Sequence, residues 1–148
     1  RSDNSAARDV EERAALKSTG EAESSGQPGI YVYALPHYLR YPYDPKSGHT
    51  LLKVGRSDRD VMERLRSQTR TTAIPEEPIL LRIYTSNTRE LNDIEPSMHR
   101  LLVAADHARS AARTGGTEWF LTSLRFLDAV AEEMSLGILV INDPDSID

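Results

Sequence analysis

Tyr31 and Lys53 interrupt two short apolar runs, Gly29-Ile30-Tyr31-Val32-Tyr33 and Leu51-Leu52-Lys53-Val54-Gly55, with a phenol and an amine. A tyrosine is a poor base near neutral pH unless positive charge lowers its pKa, and a lysine can become one when buried. Gly55-Arg56-Ser57-Asp58 reads as a strand-to-helix turn. Its glycine admits a ligand close to the backbone, and the start of the helix favours anions. Arg64 follows two helical turns after Ser57 and can hold a phosphate through two parallel hydrogen bonds. Glu95 and His99 are four residues apart and share one helical face if the helix survives Pro96. A carboxylate there suits a hard cation such as magnesium, and the histidine can position water or stabilise phosphate. Each residue also has a plainer reading: a half-buried strand aromatic, a snorkelling lysine, a surface arginine, an ordinary helix pair.

The elements that must position these residues can be read from periodicity. Ile30 to Leu35 is rich in β-branched and aromatic residues and predicts a strand. Leu51 to Arg56 predicts a second strand antiparallel to it, and Ile79 to Thr85 a third. By alternation, Tyr31 and Tyr33 share one face of the first strand and Ile30, Val32 and Ala34 the other. If helices cover Leu52 and Val54, Lys53 faces the Tyr31 side. Residues 36–50 hold Pro36, Pro42, Pro45 and Gly48 and predict a long loop, carrying Arg40, Tyr41, Tyr43 and Lys46. A helix is expected over 59–69, capped by Ser57 or Asp58, and another over Thr88 to Ala105. Pro96 should kink the latter or divide it in two. "ARSAARTGGTE" predicts a loop and "EWFL" a short apolar edge, with Trp119 and Phe120 as core and Glu118 at the surface. Thr122 is expected to cap a last helix over 123–134, with Gly137 ending it and "ILVI" a final strand. The result is an α+β fold, a small three-stranded antiparallel sheet flanked by helices. Residues 1–28 read as a linker or loosely docked helix, 29–136 as the domain, and 137–148 as a final strand with an acidic tail.

Composition limits the chemistry. The chain has no cysteine, which excludes disulfides and thiolate metal sites and makes a reducing, cytoplasmic setting the expectation. No apolar run approaches the roughly 20 residues of a membrane span. The histidine spacing does not read as a zinc site. The net charge of -5 is uneven. Residues 1–28 carry -2, residues 126–148 carry -6, and the remainder carries +3. Within 37–70, eight basic residues (Arg40, Lys46, Lys53, Arg56, Arg59, Arg64, Arg66, Arg70) face four acidic ones. Such a local positive surface can bind phosphate on a protein that is acidic overall.

In order, Gly29-Ile30-Tyr31, Lys53-Val54-Gly55, Arg64-Leu65, Glu95 with His99, and Gly116-Thr117-Glu118-Trp119-Phe120 resemble the GIY-YIG endonuclease superfamily, in particular its phage and bacterial branch with a lysine in the second motif. The resemblance covers about 29–134. It implies metal-dependent hydrolysis of DNA phosphodiesters, usually with one Mg2+ ion, or Mn2+ in its place. It further implies Tyr31 as acceptor of the water proton, Lys53 in the place of a second tyrosine, Arg64 on the scissile phosphate, Glu95 as metal ligand and His99 beside it. Whether Tyr31 or Lys53 is the base stays open. Arg40, Lys46, Arg56, Arg59 and Arg70 are the candidate DNA contacts. Two departures stand out: the inserted segment 36–50 and Pro96 directly after Glu95. The expectation is the cleavage module of a larger restriction, defence or mobile-element protein, with target choice from further domains or a partner subunit. The alternatives are an inactive nucleic-acid-binding or regulatory module on the same fold, and a protein-interaction domain.

Overall fold

The computed structural model describes residues 2–56, 77–114 and 117–143, with side chains over 10–56, 77–107 and 119–143. In chain order these form α1 (Ser2–Ser25), β1 (Ile30–Ala34), α2 (Pro36–Arg40), β2 (Thr50–Arg56), β3 (Ile79–Thr85), α3 (Leu91–Ala104), β4 (Ala108–Thr114), β5 (Thr117–Thr122), α4 (Leu124–Glu133) and β6 (Gly137–Val140). The helix expected over 59–69 lies outside the described residues.

The α+β architecture stands, but the sheet is larger than three strands. Six strands pair in the order β4-β5-β2-β1-β3-β6, and every pairing is antiparallel. The three expected strands form its centre. The segment expected as a loop is β4, and the supposed apolar edge is β5, an interior strand between β4 and β2. β4 reads Ala-Arg-Ser-Ala-Ala-Arg-Thr from its first residue, with too little apolar content to signal a strand. It is held by pairing to β5. The final strand is β6.

Alternation in β1 and β2 sorts the side chains to two faces. Ile30, Val32, Ala34, Leu52 and Val54 enter one core with Ile94, Met98 and Leu102 of α3, Phe120 of β5, and Leu127 and Ala131 of α4. The spacing of Ile94, Met98 and Leu102 is one helical turn each, so α3 presents a continuous stripe to the sheet. Each such fully buried side chain contributes about 1.5–3 kcal/mol before entropy is counted. Tyr31, Tyr33, Leu80 and Ile83 form a second, smaller cluster, against which Ala22 of α1 and Ile141 pack.

β3 changes parity halfway. Val32 pairs with Arg82 but Tyr33 pairs with Leu80, so Leu81 is one residue too many. The bulge sends both Leu81 and Arg82 to the helix side. There Arg82 meets Asp128 of α4 at 3.3 Å, and the Tyr84 hydroxyl donates to the same carboxylate at 2.7 Å. The Leu81 carbonyl, turned from the ladder, accepts from the Ile141 amide at 3.0 Å. The Asn142 side-chain amide donates to the carbonyls of Leu80 and Ala15 at 2.9 and 3.2 Å, tying the end of the sheet to α1.

Local expectations shift at three points. α3 is one helix across Pro96, neither two helices nor a break. The Pro96 ring removes one N–H at its sixth position, and the Ser97 hydroxyl donates back to the Asp93 carbonyl at 2.9 Å. The cap of α4 is Ser123, whose hydroxyl accepts from the Phe126 amide; Thr122 is the last residue of β5. The segment 36–50 is a short helix, α2, followed by a turn closed by an Asp44–His49 bridge, with Gly48 at φ 77°.

Candidate functional site

β2 is the element on which the candidate residues meet. On its face away from α3 and α4, Tyr33 of β1, Lys53 of β2 and Trp119 of β5 are direct cross-strand partners. Lys53 is 3% exposed, and its Nζ lies 5.5 Å from the centre of the Trp119 ring. Among the described residues Lys53 has no carboxylate partner. Burial therefore pushes its ammonium pKa down to about 8, because the charged form loses water and gains no counter-charge. The Trp119 face offers partial compensation.

Tyr31 shares this face, as alternation implied, but its cross-strand partners are Gly55 and Ile83. Tyr33, on the same face, is the tyrosine beside Lys53. The Tyr31 hydroxyl donates to the Gln27 carbonyl at 2.6 Å, and the Tyr33 hydroxyl to Glu23 Oε2 at 2.6 Å. Burial first, and the Glu23 charge second, raise the Tyr31 pKa. Both rings are buried, so the face expected to open on a phosphate is covered. Trp119, expected in the core against the last helix, lies on this face instead. Phe120, its neighbour of opposite parity, is the core residue.

Glu95 and His99 approach β2 from the helix side. Glu95 accepts the Arg56 backbone N–H at 2.8 Å and pairs with the Arg56 guanidinium at 3.2 Å. The His99 Nε2 lies 3.0 Å from the Val54 carbonyl oxygen, and its ring packs on Phe120. Val54 and Arg56 are two residues apart, so these backbone groups lie on one edge of the strand. The two side chains latch α3 to the end of β2. They share a helical face as expected, but on the opposite side of the sheet from Tyr31 and Lys53.

Of the candidate cations, Arg56 also meets the Asn92 side chain and is about half exposed. Arg40 is ion-paired with Glu12 of α1. Lys46 is exposed in the turn after α2. Arg59, Arg64 and Arg70 lie outside the described residues, as does the Glu118 side chain. No group of three or more histidine or acidic residues among the described residues could hold a metal. Glu95 supplies one carboxylate, enough for magnesium when water and phosphate oxygens complete the shell, but here both its oxygens face Arg56. On the helix side, a 560 Å³ open cavity lies between Tyr38, Thr50, Ser123 and the Arg82–Asp128 pair.

Sequence reasoning missed Glu23, which no local pattern links to Tyr33. It also missed the side on which Trp119 lies, which alternation gives once 117–122 is read as a strand.

An antiparallel sheet backed by two helices, with a buried lysine among aromatics, defines the class of domain. A family model, the T5orf172 domain, matches residues 29–135, and the chain belongs to that family. The family is phage-associated, with a nuclease-like, DNA-binding character. This corrects the GIY-YIG resemblance: no model of that superfamily matches, and the five short motifs are too brief to outweigh a match over the whole domain. No curated protein and no solved structure matches the chain. No helix among the described residues is long and apolar enough to cross a membrane.

Proposed function

We propose that this domain hydrolyses DNA phosphodiester bonds with a divalent ion, Mg2+ or Mn2+, as the cleavage module of a larger restriction, defence or mobile-element protein. The observation that carries the reading is Lys53, a buried amine with a pKa near 8 and no described counter-ion. At neutral pH about one such amine in ten is unprotonated, enough to take a proton from water in a rate-limiting step. Tyr31 is the poorer base, because its pKa is raised. Its hydroxyl, and that of Tyr33, suit the role of donors to phosphate oxygens. Arg56, half exposed at the end of β2, adds positive charge at the rim of the sheet. Arg59, Arg64, Arg66 and Arg70 add four more basic residues to this part of the sequence. Glu95 is the carboxylate that would hold the ion. It stands on the helix side of β2, so it would have to exchange Arg56 for the ion and share a phosphate with Lys53 around the end of that strand, while His99 steadies the strand beside it. A bound ion would polarise the phosphate and neutralise its charge.

The test is nicking of supercoiled plasmid with magnesium, comparing the parent with Lys53→Met and Glu95→Gln. The expected result is loss of about 100-fold or more for Lys53→Met, the usual size of a general-base contribution. Parental rates in both variants would overturn the site.

A second reading, a DNA-binding or regulatory module without activity, is favoured by the engagement of both Glu95 oxygens with Arg56. Salt-dependent DNA binding with no metal-dependent product at any protein concentration would select it.

A further inference from the structure

Residues 2–25 precede the segment that defines the family, yet they reach the tyrosine face. α1 crosses the edge of β3. Ala15, 2% exposed, enters the main core, and Thr19 accepts the Leu80 backbone N–H at 2.9 Å. One turn further, Ala22 packs on the Tyr31 and Tyr33 cluster. Glu23 then takes the Tyr33 hydroxyl, and the Gln27 carbonyl takes that of Tyr31. Both phenols are thus committed to the N-terminal segment rather than to a ligand.

We infer that α1 is an acidic strap over the Tyr31–Tyr33 face, and that its docking and the approach of a phosphate to that face exclude one another. This rests on the proposed action on DNA. Charge supports the exclusion: α1 holds six acidic residues against three basic ones, and Glu23 stands where a phosphate oxygen would have to come. The character of the contact supports release. Its apolar part is made of small side chains, Ala15 and Ala22. Its flank is a polar pair, Glu12 with Arg40 of α2. Glu11 Oε2 and Arg40 Nε are buried there without a hydrogen bond among the described residues. Buried polar atoms left unpaired regain water when the helix lifts, which lowers the cost of opening. A helix fixed only to fill the core would have no reason to keep them.

The test uses the full chain and its own tyrosines as reporters, through nitration by tetranitromethane read by mass spectrometry. Tyr41, 58% exposed, sets the free rate, and Tyr84, buried in the main core, reports global unfolding. Tyr31 and Tyr33 should react far more slowly than Tyr41 in the parent. Ala15→Asp should speed both by about tenfold while Tyr84 stays unreacted, as expected of a local opening. If Ala15→Asp unfolds the domain, Tyr84 will react as well. The double variant Thr19→Val/Glu23→Ala, which removes two polar holds and adds no charge, then decides. Tyr31 and Tyr33 that remain protected in every folded variant would overturn the strap. A short DNA duplex added to the parent should also speed their reaction. Tyrosines released by substitution but indifferent to DNA would keep the strap and sink the DNA reading. Protected tyrosines in variants that cut DNA at the parental rate would sink the strap alone.

Discussion

A lysine ammonium held inside a sheet without a counter-charge costs folding free energy, and among the described residues Lys53 is placed in that way. Its folded pKa, about 8, lies below the ordinary 10.5. Below pH 8 both the folded and unfolded chains carry the proton, and the full cost is present. Between 8 and 10.5 the folded chain has lost it while the unfolded chain keeps it, so stability rises with pH. Lys53→Met should therefore stabilise the domain by about 1–3 kcal/mol at pH 7, and the gain should shrink toward pH 10.5. Urea denaturation at both pH values measures this; an equal gain at both would show that Lys53 is not the cause. If Lys53 is the base, the cleavage rate should also rise with a midpoint near pH 8. Gly29 is constrained by packing rather than chemistry. A Cβ there would stand 2.6 Å from the Tyr84 carbonyl oxygen and 2.7 Å from Ile83 Cγ2. Gly29→Ala should cost about 1–3 kcal/mol through overpacking, with no change in any pH midpoint. At this scale the sequence placed Tyr31 and Lys53 on one face, because alternation is local. It could not give their register, which depends on how residues 36–50 fold back.

The latch between α3 and β2 shows how far an element can be read in advance. The four-residue spacing of Glu95 and His99 was legible, and the strand edge they bind was not, since it depends on where β5 leaves β2. Glu95→Gln keeps the acceptor for the Arg56 N–H but loses the charge, and should cost about 1 kcal/mol. Glu95→Ala removes the acceptor of the part-buried Arg56 N–H as well as the charge and should cost about 2 kcal/mol. Thermal unfolding in parallel with plasmid nicking separates this structural role from metal binding, because a mere latch would lose stability and activity together. Across the sheet, Arg82 is 7% exposed and depends on Asp128, which also accepts from Tyr84. Asp128→Ala should destabilise by about 3 kcal/mol, and Arg82→Met should recover much of that loss in the double variant. β3 was legible as a strand, but its bulge was not: nothing in Ile-Leu-Leu-Arg-Ile-Tyr-Thr says which residue is the extra one.

For the whole molecule, the alternation of apolar runs with helical stripes was enough to read the α+β class, while the three-stranded sheet expected from it is half of the six strands present. The strand missed outright, β4, is stabilised by its neighbour rather than by its own composition, which is polar; β6 was expected as a strand but not as a member of the sheet, and its four residues leave Leu139 and Val140 exposed. The family match begins at Gly29 and ends at residue 135, so α1 and β6 lie outside the matched segment, one on each side. The two are joined. The Leu81 bulge carbonyl holds the backbone after β6, and one amide, that of Asn142, grips both that bulged strand and the Ala15 carbonyl of α1. A pull on residue 142 would thus reach both β3 and the N-terminal helix, the latter through the Asn142 side chain. Asn142→Ala should speed amide exchange in 10–25 and in 137–143 together while the centre of the sheet stays protected. The two ends of this chain behave as one clasp.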